Sequence, residues 1–157
     1  MSRVTVESLA LAIADAANFI YKLMDDCPDN LWVEKAGKWP IWQHVAHCCN
    51  TANFFLPGQP LPLPQGLTEA VANFEVVGTE PLARSAMREF FKAAQAKLDG
   101  YLATLNDDDL PKETAHLKPM GLDWSIIKTL NMLSGHYLYH LGNADAALRS
   151  QGHPGIF

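Results

Sequence analysis

The sequence of 157 residues has few charged residues and no basic tract, and both features limit what the protein can be. Charged residues make up 18% of the chain and hydrophobic residues 48%. That balance excludes a disordered or fibrous chain, because the burial of apolar groups can offset the entropy lost on folding. The net charge is -5, so we expect no nucleic-acid partner. The length predicts a single domain over residues 1–157.

Cysteine is also scarce, at three residues. Cys48 and Cys49 are adjacent and Cys27 stands apart, which is a poor basis for a disulfide framework. Adjacent cysteines also cannot easily face one tetrahedral metal ion together. We therefore expect three reduced cysteines that serve as small core residues.

Long apolar runs are absent as well. The N-terminal stretch is the most apolar part of the chain, but Glu7 and Asp15 interrupt it. No segment approaches the roughly 18 uninterrupted apolar residues of a membrane-spanning helix. The N-terminus also lacks the long apolar region and cleavage site of a signal peptide. The sequence therefore predicts a soluble, cytoplasmic protein with no membrane partner.

Four segments repeat apolar residues every three or four positions, whereas strand signals are almost absent. This spacing places the apolar residues on one face of a helix. The segments run from about 6 to 26, 40 to 56, 81 to 105 and 124 to 150. Four helices that each carry one apolar stripe must bury the stripes against one another. The sequence therefore predicts an all-α protein, a four-helix bundle.

A long, proline-rich connection separates the second and third predicted helices, from 57 to about 79. Its first part, PGQPLPLPQG, holds four prolines, too many for a helix or a central strand. We expect a mostly irregular segment, with a short helical turn within 67–74. Connections of this length are often functional, and this one is placed to cover a site.

Two of the six histidines, His136 and His140, lie four residues apart on the fourth predicted helix. Residues at this spacing have Cβ atoms about 5–6 Å apart, so two imidazoles can reach one metal ion. A third ligand must come from elsewhere, and His44 or His47 on the second helix are the candidates. Three partly buried histidines bonded to backbone or water are the alternative interpretation.

Two segments resemble parts of the DinB-like (YfiT-like) family of four-helix bundles. KWPIWQHVAHCCNTANFF is similar to the family's second helix, in which a metal-binding histidine follows a tryptophan by eight residues. HYLYHLGNADAALRSQG is similar to the last helix, with matches at His136, His140, Gly142, Asn143, Leu148, Arg149 and Gly152. The DDDL sequence at 107–110 resembles the acidic turn after the family's third helix. The resemblance implies that His47, His136 and His140 are the metal ligands.

Three neutral imidazoles suit zinc, nickel or iron(II) and leave coordination positions open. The resemblance implies a small-molecule substrate and one of two reactions, metal-dependent hydrolysis or transfer of a low-molecular-weight thiol. Asp145 and Tyr139 are near the histidines in sequence, but neither is identified as a general base. A non-catalytic metal-binding or dimeric interaction or stress-response protein, or a helical module without metal, stays open as an alternative.

The second predicted helix carries apolar residues on two sides. Trp42, Val45 and Cys49 lie on one side, and Phe54 and Phe55 extend the apolar surface to the other. The sequence does not decide which side faces inward. A helix that is apolar on two sides suggests that one side meets a partner subunit, so we expect a homodimer with two-fold symmetry.

Overall fold

A computed structural model describes residues 2–157, which are mostly helical. This confirms the predicted all-α class. The α-helices are α1 (Val4–Asp26), α2 (Asp29–Trp32), α3 (Ile41–Phe55), α4 (Glu69–Ala72), α5 (Arg84–Thr104) and α6 (Ile126–Ser150). Two 3-10 helices span Asp107–Asp109 and Ala115–Met120. Two short strands, β1 (Lys35–Ala36) and β2 (Trp39–Pro40), pair antiparallel, with Lys35 opposite Pro40.

The four long helices α1, α3, α5 and α6 pack against one another through the apolar stripes that the sequence predicts. Helix α6 packs against both α1 and α3, and α5 lies against the same two helices. The largest fully buried side chains of these helices include Ile13, Ile20, Leu23, Phe91, Leu98, Leu130, Leu133 and Tyr137. Their three- and four-residue spacing explains why each stripe faces the shared core.

Helix α5 begins later than the sequence suggests, at Arg84 instead of near Pro81. Residues before it are held in place by other contacts. The backbone N–H of Gly78 donates to Oε1 of Gln43 at 2.9 Å, and Leu82 is buried. Residues 78–83 are non-helical, and α5 begins directly after them.

The connection between α3 and α5 is tied to α3 by one buried glutamine. The side chain of Gln43 is fully buried, and its Nε2 donates to the carbonyls of Val71 at 2.9 Å and Val76 at 2.8 Å. Val71 belongs to the predicted helical turn, which the structure has as α4, and Val76 follows it. Thr68 caps this turn by accepting a hydrogen bond from the N–H of Val71. Gln43 thereby fixes the residues that follow α4.

Helix α3 is enclosed almost completely by the chain itself. Twelve of its fifteen residues are buried. One side packs against α5 and α6, and α4 and the β1–β2 hairpin pack against the rest. The side of α3 with Trp42, Val45 and Cys49 is therefore covered within the subunit, whereas Phe54 on the other side is 44% exposed. The homodimer stays a prediction that needs other support.

The three cysteines are free thiols in the core, as expected. Burial raises the pKa of the Cys27 thiol to about 11 and raises that of Cys48 and Cys49 further. All three are therefore protonated at neutral pH and are poor nucleophiles and metal ligands.

Helix α1 is the one described helix that is long and apolar enough to cross a membrane by length and composition alone. Core helices of soluble proteins and N-terminal signal sequences pass the same test. In this fold α1 is amphipathic, and its apolar stripe, including Ile13, Ile20 and Leu23, is buried in the core.

Candidate metal centre

The structure brings His47 of α3 together with His136 and His140 of α6. One ring nitrogen from each lies within 4.8 Å of the other two. The Nε2 atoms of His47 and His136 are 2.9 Å apart. The fixed packing of α3 against α6 therefore gathers three imidazoles from positions 89 and 93 residues apart around one point.

A backbone carbonyl sets the tautomer of His47. Its Nδ1 lies 2.6 Å from the carbonyl oxygen of Ala72, at the end of α4. A carbonyl only accepts, so Nδ1 must carry the proton and donate it. Burial lowers the pKa of His47, which keeps the ring neutral at pH 7. The lone pair is therefore on Nε2, the atom that faces His136.

His140 is oriented by His44, which in turn is held by a second backbone carbonyl. Nε2 of His44 lies 2.9 Å from the carbonyl oxygen of Ala36 and must donate to it. Burial lowers the pKa of His44, so its ring is neutral and its Nδ1 is an acceptor. The Nδ1 of His140, 2.8 Å away, donates to that acceptor. The lone pair of His140 is therefore on Nε2.

His136 carries the proton at the centre itself. Two lone pairs would repel at 2.9 Å, and the proton of His47 is already committed to Ala72, so Nε2 of His136 donates to Nε2 of His47. Burial, and then the neighbouring His47, lower the pKa of His136 to about 4. The ring is neutral at pH 7, and to ligate a metal ion through Nε2 it would carry its proton on Nδ1 instead.

Phe74 covers the histidines from the connection. Its ring stacks on His47, with centroids 4.3 Å apart and planes at 17°, and on Trp39, with centroids 4.7 Å apart and planes at 7°. Edges of the same ring face His44 and His140. Among the described residues, Phe74 is the one non-glycine with a positive φ, at 62°. Such a conformation is costly for a side chain with a Cβ and persists where the surrounding contacts impose it.

The comparison with family models now decides the classification. A family model of the DinB superfamily matches residues 13–144. The chain belongs to the DinB superfamily. The match includes all three clustered histidines. A search of the curated proteins and a search of the solved structures each returned no match.

The DinB superfamily is metal-binding, and the donor set of this member fits a divalent ion. Because the Nδ1 atoms of His47 and His140 donate to other acceptors, the lone pairs of both rings are on Nε2. Metal-bound histidines commonly donate their second ring N–H to a backbone carbonyl or a similar acceptor, as His47 does to Ala72. Of the two candidates for the third ligand, His44 is the less suitable, because both of its ring nitrogens are hydrogen-bonded, to Ala36 and to His140.

Neither of the two other polar residues singled out in the sequence, Asp145 and Tyr139, is among the three clustered histidine ligands. Asp145 forms an ion pair with Arg149 and accepts from the N–H of Ile156, so its carboxylate holds the C-terminus in place. Tyr139 is 67% exposed, with its ring beside His140. Neither is positioned as an evident proton acceptor for the centre.

Two functional contributions were not found from the sequence, the Ala72 carbonyl and the Phe74 ring. Both lie on the connection, about 25 residues from His47. The sequence predicts a short helical turn within 67–74, which does not indicate where the Phe74 ring points. Nothing in the local pattern indicated contact with the histidines.

Proposed function

We propose that this DinB-superfamily protein is a metal-dependent enzyme in which His47, His136 and His140 hold a divalent zinc, nickel or iron ion. The observation that carries the proposal is the commitment of the Nδ1 protons of His47 and His140 to other acceptors, which directs their Nε2 atoms at the centre. Three imidazoles leave coordination positions open, as catalytic sites require. An ion bound there lowers the pKa of a coordinated water or thiol.

Two reactions on a small-molecule substrate follow from this chemistry, hydrolysis and the transfer of a low-molecular-weight thiol to an electrophile. A cavity of about 390 Å³ beside His47 and His136 supports a catalytic role over a purely structural metal site. Phe54 and Phe55 line the cavity and would exclude water from it. Phe74 stacks on the His47 ring.

Metal analysis of the purified protein tests the proposal. We expect about one equivalent of a divalent transition metal in the wild-type protein after incubation with zinc and removal of the excess. Replacing His47, His136 and His140 by alanine together should abolish it. The matched control replaces His116 and His153, which bond to the Phe55 carbonyl and the Gly155 N–H. Equal metal content in the triple variant and the wild type contradicts the proposal, provided that circular dichroism shows both to be helical.

We also infer that the chain forms a single four-helix-bundle domain over residues 1–157. The mutual packing of α1, α3, α5 and α6 supports this inference, with the proline-rich connection crossing between α3 and α5. A cytoplasmic location and the lack of a nucleic-acid partner belong to the same proposal. The net charge of -5 and the buried stripe of α1 support them.

We also propose a homodimer, in which the outer face of α1 and not α3 meets the partner subunit. Val4 and Leu11 are 70% and 67% exposed and lie seven residues apart, on the same side of the helix. Light scattering at micromolar concentration should give twice the monomer mass, and Leu11→Glu should reduce it to the monomer mass. A monomer mass for the wild-type protein contradicts this part of the proposal.

A further inference from the structure

The cavity beside the proposed metal centre is mainly apolar. It has a volume of about 390 Å³, with His47 and His136 at the metal end and Phe54 and Phe55 in its wall. Phe54 is 44% exposed, and Phe55 is stacked on Trp124 with planes at 3°. A rigid, partly exposed aromatic wall is suited to contact an apolar part of a ligand.

The one charged residue that lines this cavity is negative. Its polar wall consists of Asn50, Thr51 and Asn73 together with Glu75, the one charged residue that lines it. In the part of the chain that the structure describes, Glu75 takes part in no ion pair. Its carboxylate is therefore free to attract a positive group and repel a negative one.

Over residues 2–157, no lysine lines the cavity to offset this charge. Nζ of Lys97 donates to the backbone carbonyls of Asn53 at 3.3 Å and Gln59 at 3.1 Å. Nζ of Lys128 lies 4.9 Å from the ring centre of Trp124, behind Phe55. Neither lysine lines the cavity, so a carboxylate or phosphate group placed there would meet no cation.

A second hollow, of about 270 Å³, is lined in part by Phe74 and differs from the first cavity in charge. Lys38 lines it together with Trp39, Tyr139 and Asn143, and it reaches His44 and His140. The ammonium of Lys38 lies 4.4 Å above the Trp39 ring. An anionic ligand would be more favourably bound in this hollow, beside Lys38, than in the first cavity, beside Glu75. The charge of a ligand therefore distinguishes binding in the two places.

We propose that the substrate occupies the Phe54–Phe55 cavity with an apolar body that is neutral or positively charged, and that polycarboxylate and phosphate-bearing molecules are excluded. This inference rests on the proposed metal centre and deepens it. Among low-molecular-weight thiols, those with free carboxylates, such as acidic peptides, are poor candidates. Neutral or amine-bearing aromatic and aliphatic molecules are the favoured class.

Three thiols that share one ring but differ in charge test the proposal. Phenylmethanethiol and its 4-aminomethyl and 4-carboxy derivatives place the same sulfur and the same ring in the site with different charges. The cobalt(II)-loaded protein reports their binding directly, through the thiolate-to-cobalt absorption band. We expect the amine to bind about tenfold tighter than the carboxylate at low ionic strength, with the neutral thiol between them. The difference should shrink in 0.5 M salt because salt screens the exposed carboxylate of Glu75.

Two variants assign the effect to Glu75. Glu75→Gln should bring the amine and carboxylate thiols within about twofold of each other. Glu89→Gln is the matched control, since Glu89 is exposed on α5 and lines neither hollow. The charge preference should be unchanged in that control.

Equal or tighter binding of the carboxylate thiol by the wild-type protein overturns the proposal. If Lys38→Met then removes that preference, the ligand lies in the second hollow instead. If the protein shows no cobalt absorption, the proposed metal centre is itself wrong, and the inference about the substrate is wrong with it. The two failures are thus distinguished before any thiol is added.

Discussion

His44 and His140 share one hydrogen bond, with their Nδ1 atoms 2.8 Å apart. The bond has a defined direction, because the Nε2 proton of His44 is committed to the carbonyl of Ala36. Through this pair, the backbone at the end of β1 determines which nitrogen of His140 is free for a metal ion. His44 is therefore a positioning residue for the proposed centre, although it does not face the centre itself.

Replacing His44 by phenylalanine should weaken metal binding about 10- to 100-fold. Phenylalanine fills the space but offers no acceptor, so Nδ1 of His140 loses its partner and the Nε2-protonated tautomer becomes accessible. His44→Gln should recover part of the affinity, since its side-chain carbonyl can accept from His140. Competition with a chromophoric chelator measures the affinity, and His153→Phe is the control. Wild-type affinity in the phenylalanine variant would show that His44 does not position His140.

The metal-free protein should lose stability as the pH falls from 6.5 to about 4. Burial lowers the pKa of His136 to about 4 and also lowers those of His47 and His140 from 6.5. In this window the unfolded chain binds protons that the folded chain does not, so acidification favours unfolding. Each histidine binds at most one proton, so its slope does not exceed about 1.4 kcal/mol per pH unit.

Urea denaturation at several pH values checks this prediction. The midpoint should fall steadily from pH 7 to pH 4.5, and His136→Asn should reduce the slope because it removes one of the titrating rings. A midpoint that is constant or rises on acidification through this range would contradict the assignment of neutral, buried imidazoles.

Removing the ring of Phe74 should speed the loss of a bound metal ion. The ring stacks on His47 and faces His140, so without it a chelator can approach the centre from this side. We expect Phe74→Gly to raise the rate of metal removal by a chelator about tenfold. An unchanged rate would show that Phe74 does not limit access.

The same position tests the backbone conformation. Glycine adopts a φ of 62° freely, whereas alanine carries a Cβ that disfavours it. Phe74→Gly should therefore be more stable than Phe74→Ala by about 1 kcal/mol in chemical denaturation. The reverse order would mean that the backbone at this position is not left-handed in solution.

The parts of the fold that were predictable from the sequence are those governed by local periodicity. The stripes of α1 and α6 continue over many turns, so each predicts both a helix and its buried face. The spacing of His136 and His140 is likewise a local property of one helix. Their approach to a common ion could be inferred without knowing what α6 packs against.

The choice between His44 and His47 could not be made in that way. Helix α3 is enclosed on nearly all sides, and periodicity gives a face only where one side of a helix meets water. The resemblance to a known family selected His47, and the structure brings His47 to His136 and His140. His44 instead became a support for His140, a role that depends on the hairpin carrying Ala36.

The last prediction concerns Gly78, which links the connection to α3. A Cβ at this position would overlap the ring of Trp42, which is 3% exposed and has no space to move into. Gly78→Ala should therefore cost about 1–3 kcal/mol of stability. Gly100→Ala is the matched control, because nothing lies within 4 Å of its added Cβ on α5 and alanine favours a helix. That control should gain about 0.5–1 kcal/mol in urea denaturation.

Gly78→Ala should also weaken metal binding. A clash that only destabilised the fold would not have this effect, whereas displacement of the segment that orients His47 would. The N–H of Gly78 donates to Gln43, whose amide also holds Val71 and Val76 on either side of Ala72 and Phe74. Displacing Gly78 therefore loosens the segment that supplies the acceptor for His47. Chelator competition on the folded variant should show a lower affinity than in Gly100→Ala. Equal affinities, together with a loss of stability in Gly78→Ala, would mean that the connection packs on α3 without holding His47 in place.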